Sequence, residues 1–291
     1  MSYVEAQPLS PRARRRRVLR RRFLRRPAAV LSLAVVVTFV LAAVFARWVA
    51  PHSPDATDFN AILASPSREH LLGTDELGRD TLSRLIWGAR ASIQAGFFAT
   101  VIAMCIAVPI GLVAGYYRGK IDTVIARLTD VLLAFPFLIL AVGLAAILGP
   151  SLLNATLALG IAAVPPLIRI SRGETLELRE EDYVRAAVAN GANDAVILGR
   201  HILPNMGSTL LVQATLTIPA AIIGEAVLSF LGLGVQPPTP SWGVMLNAAQ
   251  PYLSEAPQLA VYPGLAIVFA ALAFNILGDG LRDVFDPKTQ R

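Results

Sequence analysis

A short polar stretch of this otherwise apolar chain holds the charged side chains that are best placed to do chemistry. They are Asp75, Arg79, Asp80 and Arg84. Carboxylates and guanidinium groups this close together could bind a charged solute, or they could pair with one another and stabilise the local fold. The spacing favours mutual pairing, so we expect a structural scaffold rather than a solute site.

The residues around these charges predict the element that positions them. Gly73 and Gly78 flank a turn, with Thr74 between them, and Asp80 belongs to a residue type that caps helix N-termini. Apolar residues then recur at helical spacing, at Leu82, Leu85, Ile86 and Trp87. We therefore expect an amphipathic helix that lies at the external surface of the membrane.

Other candidate reactive groups are few. Glu225 is the one carboxylate within an otherwise apolar helix, where ionisable groups are costly and usually functional. It lies about 27 Å along a helix that starts near Gly207, which places it near the outer interface and favours a local pairing over a proton or cation relay. The histidines His52, His70 and His201 are scattered without metal-ligand spacing, so we expect no metal site.

The sequence contains none of the common catalytic motifs. It has no Gly-x-x-x-x-Gly-Lys-Ser/Thr phosphate loop, no Gly-x-Ser-x-Gly elbow, no His-Glu-x-x-His helix and no Rossmann glycine pattern. We therefore expect no catalytic residues, no cofactor in this chain and no enzymatic activity. Without a phosphate loop, this chain is not expected to bind ATP and Mg²⁺ itself.

Composition indicates a membrane protein. Of the 291 residues, 55% are hydrophobic and 16% are charged, and the mean hydropathy is +0.57, too apolar for an ordinary soluble domain. Five uncharged intervals can each reach the roughly 20 residues that a spanning helix needs: 27–46, 91–117, 131–168, 201–224 and 256–278. The third is long enough for two helices and is broken at 149–151, so we predict six transmembrane helices. Small residues supply surfaces for their packing, at Gly111, Gly115, Ala141 and Gly143.

Charge bias predicts the orientation. With the N-terminus in the cytoplasm, 21 of the 26 Lys and Arg residues fall on the cytoplasmic side, as the positive-inside rule requires. We therefore expect both termini inside. The Arg-rich start, including residues 14–17 and 20–22, is better explained as a helix anchor that contacts anionic lipid than as a nucleic-acid site. A signal peptide ending at residues 44–46 is the alternative to an uncleaved anchor, which the length of the apolar run favours.

A compact polar insert, residues 182–205, separates the fourth predicted helix from the fifth. Its alanines favour helix, Gly191 suits a left-handed C-terminal stop, Asn193 can cap a second helix, and Pro204 limits that helix. The predicted topology places the polar insert in the cytoplasm. It should form two short helices joined at an elbow.

The polar insert resembles the "EAA" loop of ABC importer permeases, in which two alanines precede a glycine by four or five residues and a Leu-Pro follows. The matching residues are Ala186, Ala187, Gly191, Leu203 and Pro204. Arg185 stands where that family often has Glu, and His201 stands where it often has Ile. Both departures are similar to the dipeptide/oligopeptide/nickel branch of the family.

Three further segments resemble the C-type permease of that branch. Residues 70–90 are similar to its "GTDxxGRDxxSRLxxGxR" signature, residues 225–243 to its periplasm-facing gate region, and residues 275–287 to its terminal "NxLGDxLRDxxDP" motif. The similar segments are thus distributed over the chain from His70 almost to its end.

The resemblance implies roles for named residues. In this family the loop docks on an ATPase subunit, so the ATPase-coupling residues would be Tyr183, Arg185, Ala186, Ala187, Gly191, His201, Leu203 and Pro204. The external scaffold would consist of Gly73, Thr74, Asp75, Gly78, Arg79, Asp80 and Arg84. The outer gate, which would contact a binding protein, would consist of Glu225, Pro237, Pro238 and Trp242. A rigid cap without a partner is the alternative for the gate.

The resemblance also implies a type I ABC importer permease fold and a division of the chain. The parts are a cytoplasmic tail 1–26, a first transmembrane helix 27–50, an external segment 51–90, and a permease core 91–291 that contains a coupling loop 171–206. The implied partners are a homologous second permease, two ABC ATPase subunits, an external substrate-binding protein and membrane lipid, with no nucleic acid. The implied location is the plasma membrane of a bacterium.

The expected function is that of a permease subunit that translocates dipeptides or short oligopeptides by alternating access, driven by ATP hydrolysis on partner subunits. The same machinery could instead serve nickel chelates or haem. The main alternative is a self-contained secondary transporter or channel, which would need its own coupling-ion site and usually internal repeats. The sequence shows no repeat, and its apolar segments contain few charges.

Overall fold

The structure is a computed structural model, and it describes residues 21–285. Within that range every extended element of regular structure is a helix, and one isolated bridge joins Thr74 and Asp80. The all-α class expected from composition is confirmed for this part of the chain. Most of the Arg-rich tail and the Asp-Pro end of the terminal motif lie outside the described residues, at 1–20 and 286–291.

Helices fill most of the described chain. They are α1 (Pro27–Val44), α2 (Ala46–Val49), α3 (Thr81–Tyr117), α4 (Gly119–Leu133), α5 (Phe137–Leu148), α6 (Leu152–Ala162), α7 (Val164–Arg179), α8 (Asp182–Ala189), α9 (Asp194–Val196), α10 (Gly207–Phe230), α11 (Trp242–Ala249) and α12 (Gln258–Phe285). A π-helical turn, Ile197–Ile202, continues α9, and a 3₁₀ turn, Gln250–Tyr252, follows α11.

Within residues 21–285, five helical spans are long and apolar enough to cross a membrane: α1, α3, α6 with α7, α10 and α12. The sixth predicted crossing exists only if α4 and α5 make one bent span, because they meet at an angle of 88°. Helix α5 alone has 12 residues, about 18 Å, and is shorter than a hydrocarbon core of roughly 30 Å. The predicted break at 149–151 is confirmed, since Gly149 has a φ of 87° and Ser151 caps α6.

Helix α3 corrects the predicted start of the second span. We expected a separate surface helix before residue 91, but one continuous helix of 37 residues runs from Thr81 to Tyr117. Asp80 caps it by accepting a hydrogen bond from the Ser83 amide at 2.8 Å. The charged end of the amphipathic stretch contains no helix breaker, so the helix continues into the apolar run. Its length of about 55 Å exceeds a bilayer core, and its first turns belong to the external segment.

Helix α4 is absent from the sequence prediction, because charged residues interrupt its apolar run. Arg118, with a φ of 56°, separates it from α3. Ion pairs then attach α4 to α7: Arg172 binds Asp122, and Arg169 binds Asp130 at 2.8 Å. The charged residues that led us not to predict a helix here therefore attach α4 to the bundle through ion pairs with α7.

Helix α3 is the centre of the bundle, since it packs against α1, α6, α7 and α10. Gly111 lets α7 approach closely, because an added Cβ would lie 2.5 Å from the Ser171 Cβ, and Gly115 is equally confined one turn later. The small contact surfaces predicted at both glycines and at the fully buried Ala141 are confirmed. The contact predicted at Gly143 is wrong, since an added Cβ there would meet nothing within 4 Å.

The two ends of α3 organise the candidate functional residues. At its N-terminal end, Trp242 Nε1 donates to the Leu85 carbonyl at 3.0 Å, which joins the chain after α10 to the external segment. At its C-terminal end, the Tyr116 hydroxyl donates to the Asp194 carboxylate at 2.8 Å, which brings the polar insert there. The candidate residues thus form two groups at opposite ends of one long helix.

Candidate functional site

The polar insert forms the elbow that its sequence predicts. Helix α8 ends in a Schellman motif, in which the Gly191 amide donates to the Val188 carbonyl at 2.9 Å and the Ala192 amide donates to the Ala187 carbonyl at 3.1 Å. Gly191 has a φ of 75°, a left-handed conformation that glycine adopts without steric cost. The predicted left-handed stop is confirmed.

The second half of the polar insert begins with the predicted cap. The Asn193 Oδ1 accepts a hydrogen bond from the Val196 amide at 2.9 Å. The chain then departs from the predicted α-helix and makes a π-helical turn, whose wider path brings Ile197 and Ile202 into one buried cluster. The helical path ends just before Pro204, as predicted.

Polar contacts tie the polar insert to the bundle. Besides the bond between Tyr116 and Asp194, Glu180 at the end of α7 binds both Arg118, at 2.5 Å, and Arg185, at 3.0 Å. The guanidinium groups of Arg185 and then Arg118 lower the pKa of the Glu180 carboxyl. Helix α8 is therefore linked to the ends of both α3 and α7.

Most of the candidate coupling residues lie at the surface of the polar insert. The exposed ones are Tyr183, Arg185, Ala186, Gly191, Leu203 and Pro204. Val188, which is 54% exposed, adds an apolar side chain to this surface. Ala187 and His201 are half-buried, and Ala187 packs against the buried cluster that includes Val184. Exposed apolar groups in a polar surrounding are typical of a surface that meets another protein.

The external segment buries the charges that we expected to form a scaffold. The Asp75 carboxylate accepts from Arg79 Nε at 2.7 Å and lies 3.2 Å from Arg84 Nε, and all three side chains are buried. Asp75 also accepts from the amides of Leu77 and Arg79, and Arg84 donates to the Pro54 carbonyl at 3.0 Å. The predicted mutual pairing is confirmed for Asp75, Arg79 and Arg84, whereas Asp80 has histidines rather than these arginines within ion-pair distance.

The turn that carries Asp75 is confined on several sides. Gly73 and Gly78 have φ values of 74° and 69°, and a Cβ added at Gly78 would lie 1.8 Å from the Asp58 carbonyl oxygen. The Thr74 hydroxyl accepts from the Ala64 amide at 2.9 Å and is itself buried. The predicted turn between the two glycines is confirmed, and only glycine fits at its second position.

Asp80 has imidazole partners that we did not predict. Its carboxylate lies 3.0 Å from His70 Nδ1 and 3.8 Å from His52 Nδ1. Burial acts against ionisation of Asp80, but hydrogen bonds from Ser83 and His70 outweigh it and lower the pKa of the carboxyl. The expectation that His52 and His70 are scattered is wrong, because the external segment folds back and brings their ring centroids to 5.0 Å.

Glu225 is part of the protein interior rather than of an outer surface. It is fully buried in α10 and accepts hydrogen bonds from the hydroxyls of Ser92, at 2.6 Å, and Ser229, at 2.7 Å. The local pairing predicted for Glu225 is confirmed. Its predicted contact with a binding protein is wrong for this conformation, because the side chain has no exposed surface.

The other outer gate residues divide in the same way. Trp242 is fully buried, stands edge-on to Phe39 and packs over Gly88, so its predicted external contact is also wrong. Pro237 and Pro238 are exposed. They are the two members of the predicted gate that an external protein could touch, and that contact stays a prediction.

Sequence reasoning missed the partners that fix both groups. Tyr116 and Asp194 are separated by the whole of α4 to α8, and Ser92 and Glu225 by more than half of the permease core. One local signal was available, since Glu180 and Arg185 are close in sequence and of opposite charge. The remaining pairs become visible only in the folded chain.

Comparisons with known proteins agree with this architecture. The profile of the family described as "Binding-protein-dependent transport system inner membrane component" matches residues 107–291, and that of the "N-terminal TM domain of oligopeptide transport permease C" matches residues 15–66. A chain from the MetNI methionine ABC transporter, solved in inward-facing conformations, superposes with a TM-score of 0.58. It is 20% identical, and the match covers 70% of this chain and 97% of that one, so the likeness shows the fold, that of a type I ABC importer permease.

Relatives of similar length are much closer in sequence. The dipeptide transport system permease protein DppC of Alkalihalophilus pseudofirmus is 44% identical over 89% of this chain and 86% of its own length. The glutathione transport system permease proteins GsiD of Pectobacterium atrosepticum and Escherichia coli are 45% and 46% identical, over 92% of this chain and 89% of theirs. The chain therefore belongs to the family of binding-protein-dependent transport system inner membrane components, as a multi-pass, C-type permease subunit of an ABC importer.

Proposed function

We propose that this chain forms one half of the membrane pathway of an ATP-driven importer of dipeptides or short oligopeptides, including glutathione. A homologous permease supplies the other half, two ATPase subunits supply the energy, and an external binding protein delivers the solute. The pathway opens alternately to the two sides of a bacterial inner membrane. ATP is hydrolysed on the partner subunits, since this sequence has no phosphate loop.

The observation that carries this proposal is the construction of the polar insert. Its elbow presents Ala186, Leu203 and Pro204 at the surface, and its other side is joined to the core of the bundle. The bonds from Tyr116 to Asp194 and from Glu180 to Arg185 connect that surface to α3 and α7. A partner that moved the exposed face would therefore also move the ends of two bundle helices.

The relatives support a peptide as the solute. DppC is named for dipeptide transport and GsiD for glutathione transport, and both proteins match nearly the whole of this chain. A short peptide is thus favoured over nickel chelates and haem. The choice among short peptides is assigned to the binding protein, as the resemblance implies, and the buried Asp75, Arg79 and Arg84 of the external segment are paired with one another rather than free to bind a solute.

Uptake into proteoliposomes tests the proposed transport. The complete assembly with its binding protein should accumulate labelled dipeptide or glutathione only when ATP is present on the ATPase side, and an excess of unlabelled peptide should abolish accumulation. Uptake by this chain alone, driven by an ion gradient and indifferent to ATP, would establish the secondary-transporter alternative instead.

A matched pair of variants tests the proposed role of the polar insert. Ala186→Trp places a bulky group on the exposed face of α8, whereas Ala56→Trp places one at an exposed position of the external segment. We expect Ala186→Trp to lose co-purifying ATPase subunits and ATP-driven uptake, and Ala56→Trp to retain the ATPase subunits. Equal recovery of ATPase subunits with both variants would show that α8 does not dock.

A further inference from the structure

The external segment brings together three side chains whose chemistry the transport function does not use. His52, His70 and Asp80 come from three separate turns, and one ligand atom of each lies within 4.8 Å of the others. His70 Nδ1 is 3.0 Å from one Asp80 oxygen, and His52 Nδ1 is 3.8 Å from the other. Two imidazole nitrogens and a carboxylate oxygen thus converge on one point.

The charge of Asp80 is balanced differently from that of its neighbour Asp75. Both carboxylates are buried, but Asp75 is paired with two guanidinium groups, from Arg79 and Arg84. In the part of the chain that the structure describes, the basic side chains within ion-pair distance of Asp80 are the two imidazoles. Among the described residues, Asp80 thus has no guanidinium or ammonium group beside it, and burying a carboxylate without a paired cation is costly.

The second observation concerns the Nδ1 atom of His52. Its Nδ1 is buried and has no hydrogen-bond partner, although the ring is 37% exposed overall. A buried polar atom left without a partner calls for an explanation such as a bound ion. His52 offers a ligand atom within 4.8 Å of those of His70 and Asp80, and its Nδ1 is 3.8 Å from an Asp80 oxygen.

We propose that His52, His70 and Asp80 bind a divalent transition-metal ion of the Zn²⁺ type. Imidazole nitrogen and carboxylate oxygen are ordinary zinc ligands, at about 2.0 to 2.2 Å, so two ligand atoms of one tetrahedral site lie roughly 3.3 to 3.5 Å apart. The separations of 3.0 Å from His70 Nδ1 to one Asp80 oxygen and of 3.8 Å from His52 Nδ1 to the other lie on either side of that value, so small shifts of the side chains would bring both nitrogens to an ion bound by the carboxylate. Three protein ligands leave a fourth position for water.

The surroundings hold the ligands in place before any ion arrives. The Ser83 hydroxyl and amide both donate to one Asp80 oxygen, at 2.7 and 2.8 Å, and the His52 amide donates to the same hydroxyl at 3.0 Å. Such outer contacts orient ligands and strengthen metal binding. To bind through Nδ1, the neutral His70 ring would carry its proton on Nε2, and its contact with Asp80 would be replaced by a bond to the ion. The ion would then link three turns of the external segment to the start of α3.

Metal titration of the purified full-length chain in detergent tests the proposal. After treatment with a chelator, the wild-type chain at neutral pH should bind one Zn²⁺. The affinity of His52→Ala for Zn²⁺ should be at least about tenfold lower. Asp80→Asn should weaken binding similarly while keeping an oxygen acceptor for the α3 cap. His201→Ala, which removes the third histidine of the sequence, should bind as the wild type does.

Co²⁺ provides an independent readout, because tetrahedral nitrogen and oxygen coordination gives a visible spectrum that simple surface adsorption does not. We expect that spectrum from the wild type and from His201→Ala, and its absence from His52→Ala. Gel filtration and helical content identify any variant that has failed to fold, and His52→Ala is the safest of these because its ring makes no hydrogen bond. Zn²⁺ binding that is equal in wild type, His52→Ala and Asp80→Asn, or absent from the wild type, would overturn the proposal.

Discussion

The external segment and the polar insert use charge in opposite ways. Asp75, Arg79 and Arg84 are buried and form ion pairs with one another, whereas Glu180 and Arg185 form an ion pair at an exposed surface. Ion pairs that are buried become costly to break, while exposed ones contribute little to stability. The first region is therefore built to keep one shape, whereas the second is held by contacts that cost little to break.

Glycine shows the same contrast. Gly78 and Gly191 both have left-handed backbones, with φ values of 69° and 75°. The space around Gly78 is filled by the backbone of Asp58, whereas nothing lies within 4 Å of a Cβ added at Gly191. Packing fixes the turn of the external segment, and the free space at the elbow is available to another subunit.

Removing one buried charge should have the largest effect. Asp75→Ala removes the carboxylate that Arg79 and Arg84 share, and it leaves Arg79 with Glu76 and the buried Arg84 with only the Pro54 carbonyl. It should lower the free energy of unfolding by about 3 to 5 kcal/mol. Glu180→Ala, the matched change at the polar insert, should lower the midpoint of thermal unfolding only slightly. Thermal unfolding of both variants in detergent checks this, and similar shifts for the two would remove the contrast between the regions.

The two glycines provide the next comparison. Gly78→Ala and Gly191→Ala each force a residue with a Cβ into the left-handed region, at about 1 to 2 kcal/mol. Gly78→Ala must in addition displace the Asp58 carbonyl, so it should unfold at a clearly lower temperature than Gly191→Ala. The same unfolding assay decides the order. A lower midpoint for Gly191→Ala would mean that the elbow is more tightly confined than the external turn.

A smaller effect is expected at the joint between the polar insert and α3. Tyr116→Phe removes the hydroxyl that donates to Asp194 and little else. Because contacts between coupled elements typically modulate coupling by about 0.5 to 2 kcal/mol, transport per ATP hydrolysed should fall by roughly two- to thirtyfold. Parallel assays of uptake and ATP hydrolysis measure that ratio. Tyr252→Phe, in the 3₁₀ turn that follows α11, is the control, and an equal loss there would argue against a specific joint.

The smallest effect concerns acid pH. The pKa of Glu180 is lowered by Arg185 and Arg118, so its pairing contributes above the ordinary carboxylate range and is lost as the pH falls through the lowered value. Any stability difference between wild type and Glu180→Gln should therefore be constant from neutral pH down to the ordinary range and vanish only in stronger acid. Unfolding midpoints of both proteins over that range test this. A difference that vanished near neutral pH would show that the pairing does not lower the pKa.

Local features of both regions could be predicted from the sequence. The stop at Gly191, the caps at Asn193 and Asp80, and the pairing of Asp75 with Arg79 all depend on residues within a few positions of one another. Such short-range signals are readable because the backbone of a single turn brings the groups together. They were sufficient to locate both candidate sites along the chain.

Long-range features could not be predicted. The meeting of His52 with His70, the burial of Trp242 against Leu85 and the attachment of α4 to α7 all require the chain to fold back on itself. Charge misled the prediction at α4, because its carboxylates are neutralised by arginines of another helix. At Glu225 the prediction was better, because the position of this residue along α10 already indicated a local partner. That partner is the Ser92 hydroxyl of α3.

Site-specific photo-cross-linking tests the central claim, that the polar insert is the surface that meets the ATPase. A photoreactive residue is placed at Ala186, at Leu203 or, as the control, at Ala56 of the external segment, and the assembled importer is illuminated. The account predicts cross-links to the ATPase subunits from Ala186 and Leu203 and none from Ala56. Cross-links to the ATPase subunits from Ala56, or their absence from both positions in the polar insert, would contradict it.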